Sequence, residues 1–196
     1  MTEKNADIIV VGGGLAGLAA AISLARAGYE TLHLAPTAAP DRRTSALMMP
    51  SVEFLVSSGL IDSPESTGHP LTAIRIIDAT PRLIRAPETL FDAREAGLDA
   101  FGWNFANATL LDRFQAAAPT AGLTTRNLAV TAYRRENGLG TLTLTDGSIV
   151  SAPLIVGADG KKSLIRTEAG LSAREHKFDE AALVCDLELG RSIGGT

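Results

Sequence analysis

The first residues with a chemically meaningful spacing are glycines, which follow directly on a short apolar run near the start of the chain. Gly12, Gly14 and Gly17 have the G-x-G-x-x-G spacing, and the four residues 8–11 before them are Ile or Val. Glycine at these positions allows a tight turn, close approach to a pyrophosphate and close packing of a helix on a strand. The helix that follows directs N–H groups and its positive dipole end toward the same phosphates. The pattern predicts a dinucleotide site, with a merely tight strand-to-helix turn as the alternative.

A second candidate site lies in the segment 153–166, PLIVGADGKKSLIR. An apolar strand there would bring Asp159 and Gly160 to its carboxyl end, where ligands bind in open α/β sheets. Asp159 can accept hydrogen bonds from cofactor hydroxyls, and Arg166 can reach back to neutralise its charge. The alternative is that Asp159 only caps a helix and Arg166 makes a surface ion pair, and the residues alone leave both interpretations open.

Arg43 is the third candidate, at the end of the polar loop 36–44 that follows the second predicted strand. Its planar guanidinium is suited to phosphates and to the edges of flat rings. The loop follows a strand of the same predicted sheet, so Arg43 is expected near the same carboxyl edge. The alternative is a solvated arginine in a polar loop.

The elements that must position these residues follow from the hydrophobic periodicity and the turn signals. We expect a right-handed parallel βαβ unit, a second helix, two short strands, a third helix, an antiparallel meander and a final strand with its helix. Their predicted bounds, in chain order, are 7–11, 15–27, 30–34, 45–58, 72–77, 82–85, 108–118, 127–135, 140–145, 148–152, 154–157 and 161–169. Residues 91–105 are predicted to be irregular, and 178–189 to begin another β layer.

Composition narrows the class of protein. The 196 residues are 45% hydrophobic and carry a net charge of −4, which allows a sizeable core and gives no basic excess for nucleic acid. The uncharged run 8–25 approaches the length of a membrane helix. Its consecutive glycines would weaken such a helix by about 1 kcal/mol each, and Glu3 and Asp7 do not fit a signal peptide.

Cysteine and histidine usage points away from disulfides and metals. Cys185 is the single cysteine, so no internal disulfide can form, and we expect it to pack in a strand of a protein in a reducing cytoplasm. His33, His69 and His176 are far apart in sequence, and each is expected to be structural or solvated. The sequence predicts no metal site.

Taken together, the three candidate sites resemble those of the class A flavoprotein monooxygenases, which have the p-hydroxybenzoate hydroxylase fold. The glycine motif, the loop arginine and the Asp159-Gly160 pair come in the order of that family, and Ser163 and Arg166 match the rest of its second motif. Residues 41–60 and 91–114 resemble segments of the ubiquinone-biosynthesis hydroxylases within it. The likeness extends over nearly the whole chain.

The resemblance implies an α/β fold: a Rossmann-like FAD-binding domain with an inserted antiparallel β-meander and the start of a β-sheet substrate domain. The implied FAD-binding domain is discontinuous, with residues 1–70 and 106–170. The partial substrate domain would comprise 71–105 and 171–196. Because members of the family are longer, we expect the chain to be an N-terminal half that lacks its C-terminal half and is inactive by itself.

FAD is the cofactor that the resemblance implies. The resemblance places the ADP half of FAD over the glycine turn and the backbone around Val130 near the adenine. It places Arg43 near the phosphates or ribityl chain, and Asp159 near the pyrophosphate and ribityl chain. Ala35 stands where such families carry Glu or Asp for the ribose, so one charge-assisted hydrogen bond of about 1.5–3 kcal/mol is missing. The predicted cofactor-binding residues are Gly12, Gly14, Leu15, Ala16, Gly17, Ala35, Arg43, Val130, Asp159 and Gly160.

The resemblance also implies the activity: hydroxylation of an aromatic ring, with NAD(P)H and O₂ as co-substrates and a flavin C4a-hydroperoxide as the oxygen donor. A polyprenylated phenol of ubiquinone biosynthesis is the expected substrate, and no catalytic residue is assigned. The alternatives are a prenyl reductase and a non-catalytic FAD-binding fragment; Trp103 is the only tryptophan, which disfavours a halogenase. We expect a cytoplasmic location, or a peripheral one at the inner membrane or in a biosynthetic complex.

Overall fold

The computed structural model describes residues 5–176, 178, 179 and 190. The strands β1–β12 are, in chain order, Ile8–Val11, Thr31–Leu34, Thr44–Met48, Gly68–Leu71, Ala73–Ile76, Thr89–Asp92, Gly102–Ala106, Thr124–Arg126, Val130–Glu136, Leu139–Leu144, Ile149–Ala152 and Leu154–Gly157. The helices α1–α4 are Leu15–Arg26, Met49–Ser57, Asn107–Ala117 and Leu164–Glu168. Short 3-10 turns lie at Ala93–Ala96 and Pro119–Ala121.

A four-stranded parallel sheet of order β12-β1-β2-β8 forms the centre of the fold. All four residues of β1 are buried because they pack on both faces of the sheet. Val11, at the end of β1, pairs with Gly157 of β12 on one side and Leu34 of β2 on the other. The carboxyl ends of these three strands therefore lie side by side, which confirms the predicted parallel βαβ unit.

Two layers cover this sheet. On one face, Ile9 and Leu34 pack with Leu142 and Val150 of the meander β9–β10–β11. On the other face, Val10 packs with Ala21 of α1. The opposite side of α1 joins a second core that includes residues of α2, α3 and β7. The meander was predicted from its Asn-Gly and Asp-Gly turns, and the structure confirms it as an antiparallel sheet.

The predicted helix 45–58 is wrong in its first turn. Residues Thr44–Met48 form β3, which pairs antiparallel with β7, and alternate side chains of β3 are exposed. Helix α2 begins only at Met49, with Pro50 in its first turn, a position that proline favours because its missing N–H has no helical partner there. Pairing with a distant strand thus determines the secondary structure of a segment whose local pattern also suits a helix.

The predicted strand 82–85 is also wrong. Strand β5 pairs instead with β6, and residues 82–85 lie in the exposed loop between them. The segment 91–105, predicted to be irregular, contains the end of β6 and most of β7, which pairs with both β3 and β4. These pairings span long sequence separations, and the local composition does not reveal them.

Strand β4 was not predicted, and further differences are at the edges. Strand β8 was not predicted, because it has only three residues, all polar and exposed. Strand β12 was predicted to be buried, but it is an edge strand whose first and last residues are exposed. Helix α4 begins at residue 164 rather than 161, because Ser163 caps it by accepting a hydrogen bond from the Arg166 N–H.

The division into domains stays a prediction. Strands β4 and β7 extend across the predicted boundaries near residues 70 and 106, and both belong to one sheet with β3. Apart from residues 178 and 179, the β layer predicted for 178–189 lies outside the described residues, as does Cys185. Within the described part of the chain, every helix is too short or too polar to cross a bilayer.

Candidate cofactor site

The glycine turn between β1 and α1 is sterically closed on its inner side. Gly12 has φ +131°, a conformation that favours glycine, and a Cβ there would overlap the backbone of Ala158. A Cβ on Gly17 would overlap the carbonyl of Gly12. Both glycines are therefore required for α1 to pack against the end of the sheet, which is the role that the motif predicts for them.

The outer side of the same turn is open. Gly14 is the N-cap of α1 and has φ −78°, and apart from its own neighbours in the chain, no described protein atom lies within 4 Å of the position that its Cβ would take. Gly14 and Ala16 are exposed, and Leu15 is half-buried. The N-cap offers no side-chain acceptor, and the first turn of the helix has no acidic residue. The N–H groups of that turn need an acceptor from outside the helix, and a pyrophosphate fits this requirement.

His33 is a buried residue that makes a hydrogen bond to the glycine turn. The side chain is 2% exposed, and its Nε2 lies 3.0 Å from the carbonyl oxygen of Gly12. Because that oxygen can only accept, Nε2 is the donor; Nδ1 lies 3.4 Å from the Thr125 hydroxyl. Burial lowers the pKa of His33 and outweighs the opposing hydrogen bond to Gly12, so the ring is neutral at pH 7. The sequence predicted a structural or solvated histidine, but nothing in it linked His33 to the glycine motif.

Ala35 lies at the carboxyl end of β2, beside the glycine turn. Its N–H donates to the Arg126 carbonyl at 3.1 Å, and its Cβ would lie 3.1 Å from a Cβ on Gly13. Two residues on, Thr37 and Asn127 exchange two hydrogen bonds of 2.7 and 2.6 Å. The adjoining loop 36–40 also contains no acidic residue, so no carboxylate stands at the usual ribose position.

Asp159 follows β12, and its backbone lies beside the glycine turn. Its N lies 2.9 Å from the position that a Cβ on Gly12 would take. Its carboxylate accepts from the hydroxyl of Ser163 and from the N–H groups of Leu164, at 2.7 Å, and Ile165, at 3.2 Å. Burial opposes ionisation, but these hydrogen bonds outweigh it and hold the pKa of Asp159 below its usual range. The carboxylate thus caps α4, while Gly160 beside it is exposed.

The sequence allowed Arg166 to neutralise Asp159, but the structure does not show this contact. Its guanidinium donates instead to the carbonyl of Lys161 at 2.9 Å. The structure contains the helix cap that one of the two interpretations predicted for Asp159, and a hydrogen bond from this residue to a cofactor stays a prediction.

Arg43 is held by a small network that precedes β3. Its guanidinium makes two 2.8 Å hydrogen bonds to Asp41 while the side chain stays 78% exposed. The side-chain hydrogen bonds from Arg43 and Asn107 hold the pKa of Asp41 well below its usual range. Asn107 also donates its N–H to the Arg43 carbonyl at 2.9 Å and accepts from the Ser45 hydroxyl at 2.5 Å.

Asn107 is therefore the residue that fixes this loop, and it was missed as a site residue. It is only 7% exposed, at the start of α3. The sequence did contain it, within the 91–114 segment used for the family resemblance, but nothing local indicated that it would reach back to residues 41–45.

Three predicted positions remain, which are Leu15, Ala16 and Val130. Leu15 and Ala16 line an apolar groove of about 480 Å³ together with Leu47 of β3 and Phe54 of α2. Val130 begins β9, pairs with Leu144 and packs on the core between meander and sheet. The structure thus brings the β1, β2 and β12 ends together, whereas the place of Val130 beside an adenine stays a prediction.

A family profile described as FAD binding domain matches residues 5–190. The chain belongs to this family. This membership confirms the cofactor predicted from the sequence, and the parallel sheet with its meander confirms the predicted α/β fold class. That the open, uncapped start of α1 binds the pyrophosphate stays a prediction.

Known relatives agree with the narrower resemblance. The chain is 31% identical to ubiquinone hydroxylase UbiL of Rhodospirillum rubrum over 98% of its length, which is 46% of the relative. It is 28% identical to 3-demethoxyubiquinol 3-hydroxylase of Escherichia coli, over 99% of this chain and 51% of the relative. The chain spans about half the length of the curated relatives it matches.

A solved structure shows the same fold with ligands bound. Aklavinone-11 hydroxylase, in a ternary complex with FAD and aklavinone, superposes with a TM-score of 0.67 at 25% identity. The match covers 87% of this chain and 36% of that one.

Proposed function

We propose that this chain forms the FAD-binding part of an FAD-dependent monooxygenase that hydroxylates an aromatic ring. The observation that carries the proposal is the uncapped, acid-free start of α1, open to solvent where the ends of β1, β2 and β12 meet. The names of the two curated relatives support the hydroxylase activity.

The chain's own residues would divide the work of holding FAD. The N–H groups at the start of α1 would bind the pyrophosphate, with the exposed backbone of Gly160 on its other side. Arg43 would stand near the phosphates or ribityl chain, held in place by Asp41 and Asn107, and Val130 near the adenine. When bound, FAD supplies the redox and oxygen chemistry, and the protein groups orient it and exclude water.

For the whole enzyme we propose NAD(P)H and O₂ as co-substrates and a polyprenylated phenol of ubiquinone biosynthesis as the ring that is hydroxylated. The names of the two relatives, a ubiquinone hydroxylase and a 3-demethoxyubiquinol 3-hydroxylase, support this substrate class. Because such a substrate partitions into lipid, we further propose that the protein works peripherally at a membrane or within a biosynthetic complex.

Two measurements test these proposals at separate levels. The purified chain, mixed with FAD and freed of excess, should retain a flavin spectrum and release FAD on denaturation; a colourless protein, or one that retains NAD instead, would refute the cofactor site. An enzyme that contains this chain and the remaining length of its relatives should oxidise NAD(P)H faster with its phenol. Product without ring oxygen, such as a saturated prenyl double bond, would favour a reductase.

A further inference from the structure

The loop between β5 and β6, residues 77–88, exposes apolar side chains at its far end. Leu83 is fully exposed and Ile84 is 86% exposed, next to each other in the chain. Ile77, where the loop leaves β5, is 59% exposed. Single exposed apolar residues are ordinary on soluble proteins, but a protruding apolar cluster marks a surface for a partner or a membrane.

This loop is internally tied. One carboxylate oxygen of Asp78 accepts from the N–H of Thr80, and the other accepts from the N–H of Ala86, both at 3.0 Å. The two bonds join the arms of the loop near its base. Pro81 and Pro87 restrict the backbone further, since proline fixes φ. The apolar pair therefore lies at the end of a loop whose conformation is already restricted. Little conformational freedom would be lost when this loop binds a partner or a membrane.

The charged residues that flank the apolar pair in the sequence have one sign. Arg82 and Arg85 flank it directly, and residues 79–87 contain no acidic side chain, in a chain whose net charge is −4. Of the nearest carboxylates, Asp78 is engaged by the two N–H groups, and Glu88 lies 3.3 Å from Arg75 in an ion pair. The end of the loop thus combines two aliphatic side chains with two arginines.

We propose that the loop 77–88 is a membrane-binding surface, which inserts Leu83 and Ile84 into an anionic lipid monolayer while Arg82 and Arg85 pair with headgroup phosphates. Aliphatic side chains gain free energy on leaving water, and arginines keep their guanidinium at the headgroup level. Charge complementarity favours an anionic lipid surface over an uncharged one. The inference rests on the peripheral membrane position proposed above, but on neither FAD binding nor catalysis.

Flotation of the chain with lipid vesicles tests this surface. Vesicles of phosphatidylcholine alone are compared with vesicles that contain phosphatidylglycerol, at low and at physiological salt. We expect binding to the anionic vesicles that salt weakens, because surface charges are screened. Replacing both arginines by Gln should lower the partition coefficient about thirty-fold, since each arginine contributes about fivefold near an anionic surface.

The variant L83S/I84S should lower binding about tenfold or more, from the loss of buried aliphatic surface. The matched control is I149S/L154S, which removes two aliphatic side chains of 55% and 50% exposure from the meander and the sheet edge. It should bind vesicles like the unmodified chain. The loop variants should keep the melting temperature and the FAD affinity, since the loop residues are exposed.

No flotation of the unmodified chain, or flotation that neither loop variant reduces, would overturn the proposal and would indicate that the apolar pair packs against protein. A chain that floats normally but never binds FAD would instead refute the cofactor site, so the two failures are distinct.

Discussion

Ala35 is the residue at which this FAD-binding domain departs most clearly from the usual dinucleotide site. It ends β2 next to the glycine turn, and the loop 36–40 after it supplies no carboxylate for ribose hydroxyls. Asp41, the next acid after Ala35 along the chain, is already engaged by Arg43 and Asn107. We therefore expect the binding of FAD to depend more heavily on the phosphate end of the site.

A substitution that restores the missing acid should strengthen binding. We expect Ala35→Glu to lower the Kd for FAD about tenfold or more, because a charge-assisted hydrogen bond contributes about 1.5–3 kcal/mol. Quenching of flavin fluorescence measures the Kd. The control is Ala38→Glu, which adds the same charge to an exposed position of the same loop. An equal gain in both variants, or none in either, would contradict a ribose contact at residue 35.

His33 is the residue whose importance only the contacts reveal. Its Nε2 is the side-chain donor to the Gly12 carbonyl, at the point where α1 must also pack. We expect His33→Leu to lower the free energy of unfolding by about 1–3 kcal/mol, because a buried carbonyl loses its partner. Urea denaturation measures the change. The control His69→Leu, at an exposed position of β4, should cost far less.

The same histidine makes stability depend on pH. The pKa of His33 in the folded chain is lowered from 6.5, so just below that pH the unfolded chain binds a proton that the folded chain does not. The contribution of His33 to the free energy of unfolding is therefore fully present above pH 6.5. It is lost as the pH falls below 6.5 toward the pKa of the folded chain. Urea midpoints between pH 7.5 and 5 should show this slope. His33→Leu should lack it, and a slope that survives in the variant would assign it to another group.

At the scale of elements, the β1–α1 unit is the part of the site whose glycines have separable roles. Gly17 and Gly12 are packed against backbone, whereas Gly14 faces open space with an ordinary φ. Folding should therefore depend on the inner glycines, and ligand binding on the outer one.

This separation predicts opposite outcomes for two alanine substitutions. Gly17→Ala should lower the melting temperature markedly, because its Cβ has no room beside the Gly12 carbonyl. Gly14→Ala should leave the melting temperature of the ligand-free chain unchanged. It should weaken the binding of FAD, because the added methyl group would project where a pyrophosphate would approach. Thermal unfolding and FAD titration of both variants measure this. A Gly14→Ala chain with normal FAD affinity would contradict the assignment of the phosphate site.

The helix starts of this domain are capped in different ways, and this decides which of them can take an anion. Helix α4 is capped by Asp159 and Ser163, which already supply acceptors for its first N–H groups. Helix α1 has no such cap. A phosphate is therefore expected at α1 rather than α4, although both helices follow strands of the same sheet.

At the scale of the whole molecule, the cofactor should stabilise the fold that binds it. A ligand at a hundred times its Kd adds about 2.7 kcal/mol to the free energy of unfolding, or about 5–10 °C in melting temperature for a chain of this size. Melting curves with FAD should show such a shift, and curves with riboflavin, which lacks the pyrophosphate, should show almost none. An equal shift from riboflavin would mean that the phosphate end of the site contributes nothing.

The sequence by itself determined the central unit of this protein. Four consecutive β-branched residues and a spaced set of glycines have few solutions other than a buried strand, a tight turn and a helix, so β1, α1 and β2 were predicted closely. The Asn-Gly and Asp-Gly pairs determined the meander in the same way, because those turns require residues that accept positive φ. Family membership and FAD followed from the resemblance that the glycine motif, Arg43 and the Asp159-Gly160 pair together carry.

Only the tertiary structure decided which residues support the site. His33 reaches Gly12, Asn107 reaches the loop before β3, and the carboxylate of Asp159 turns to its own helix. Strand β3 exists because β7 pairs with it across more than fifty residues of sequence. Such contacts depend on the packing of distant segments, and the free energy that selects them is not encoded in local periodicity.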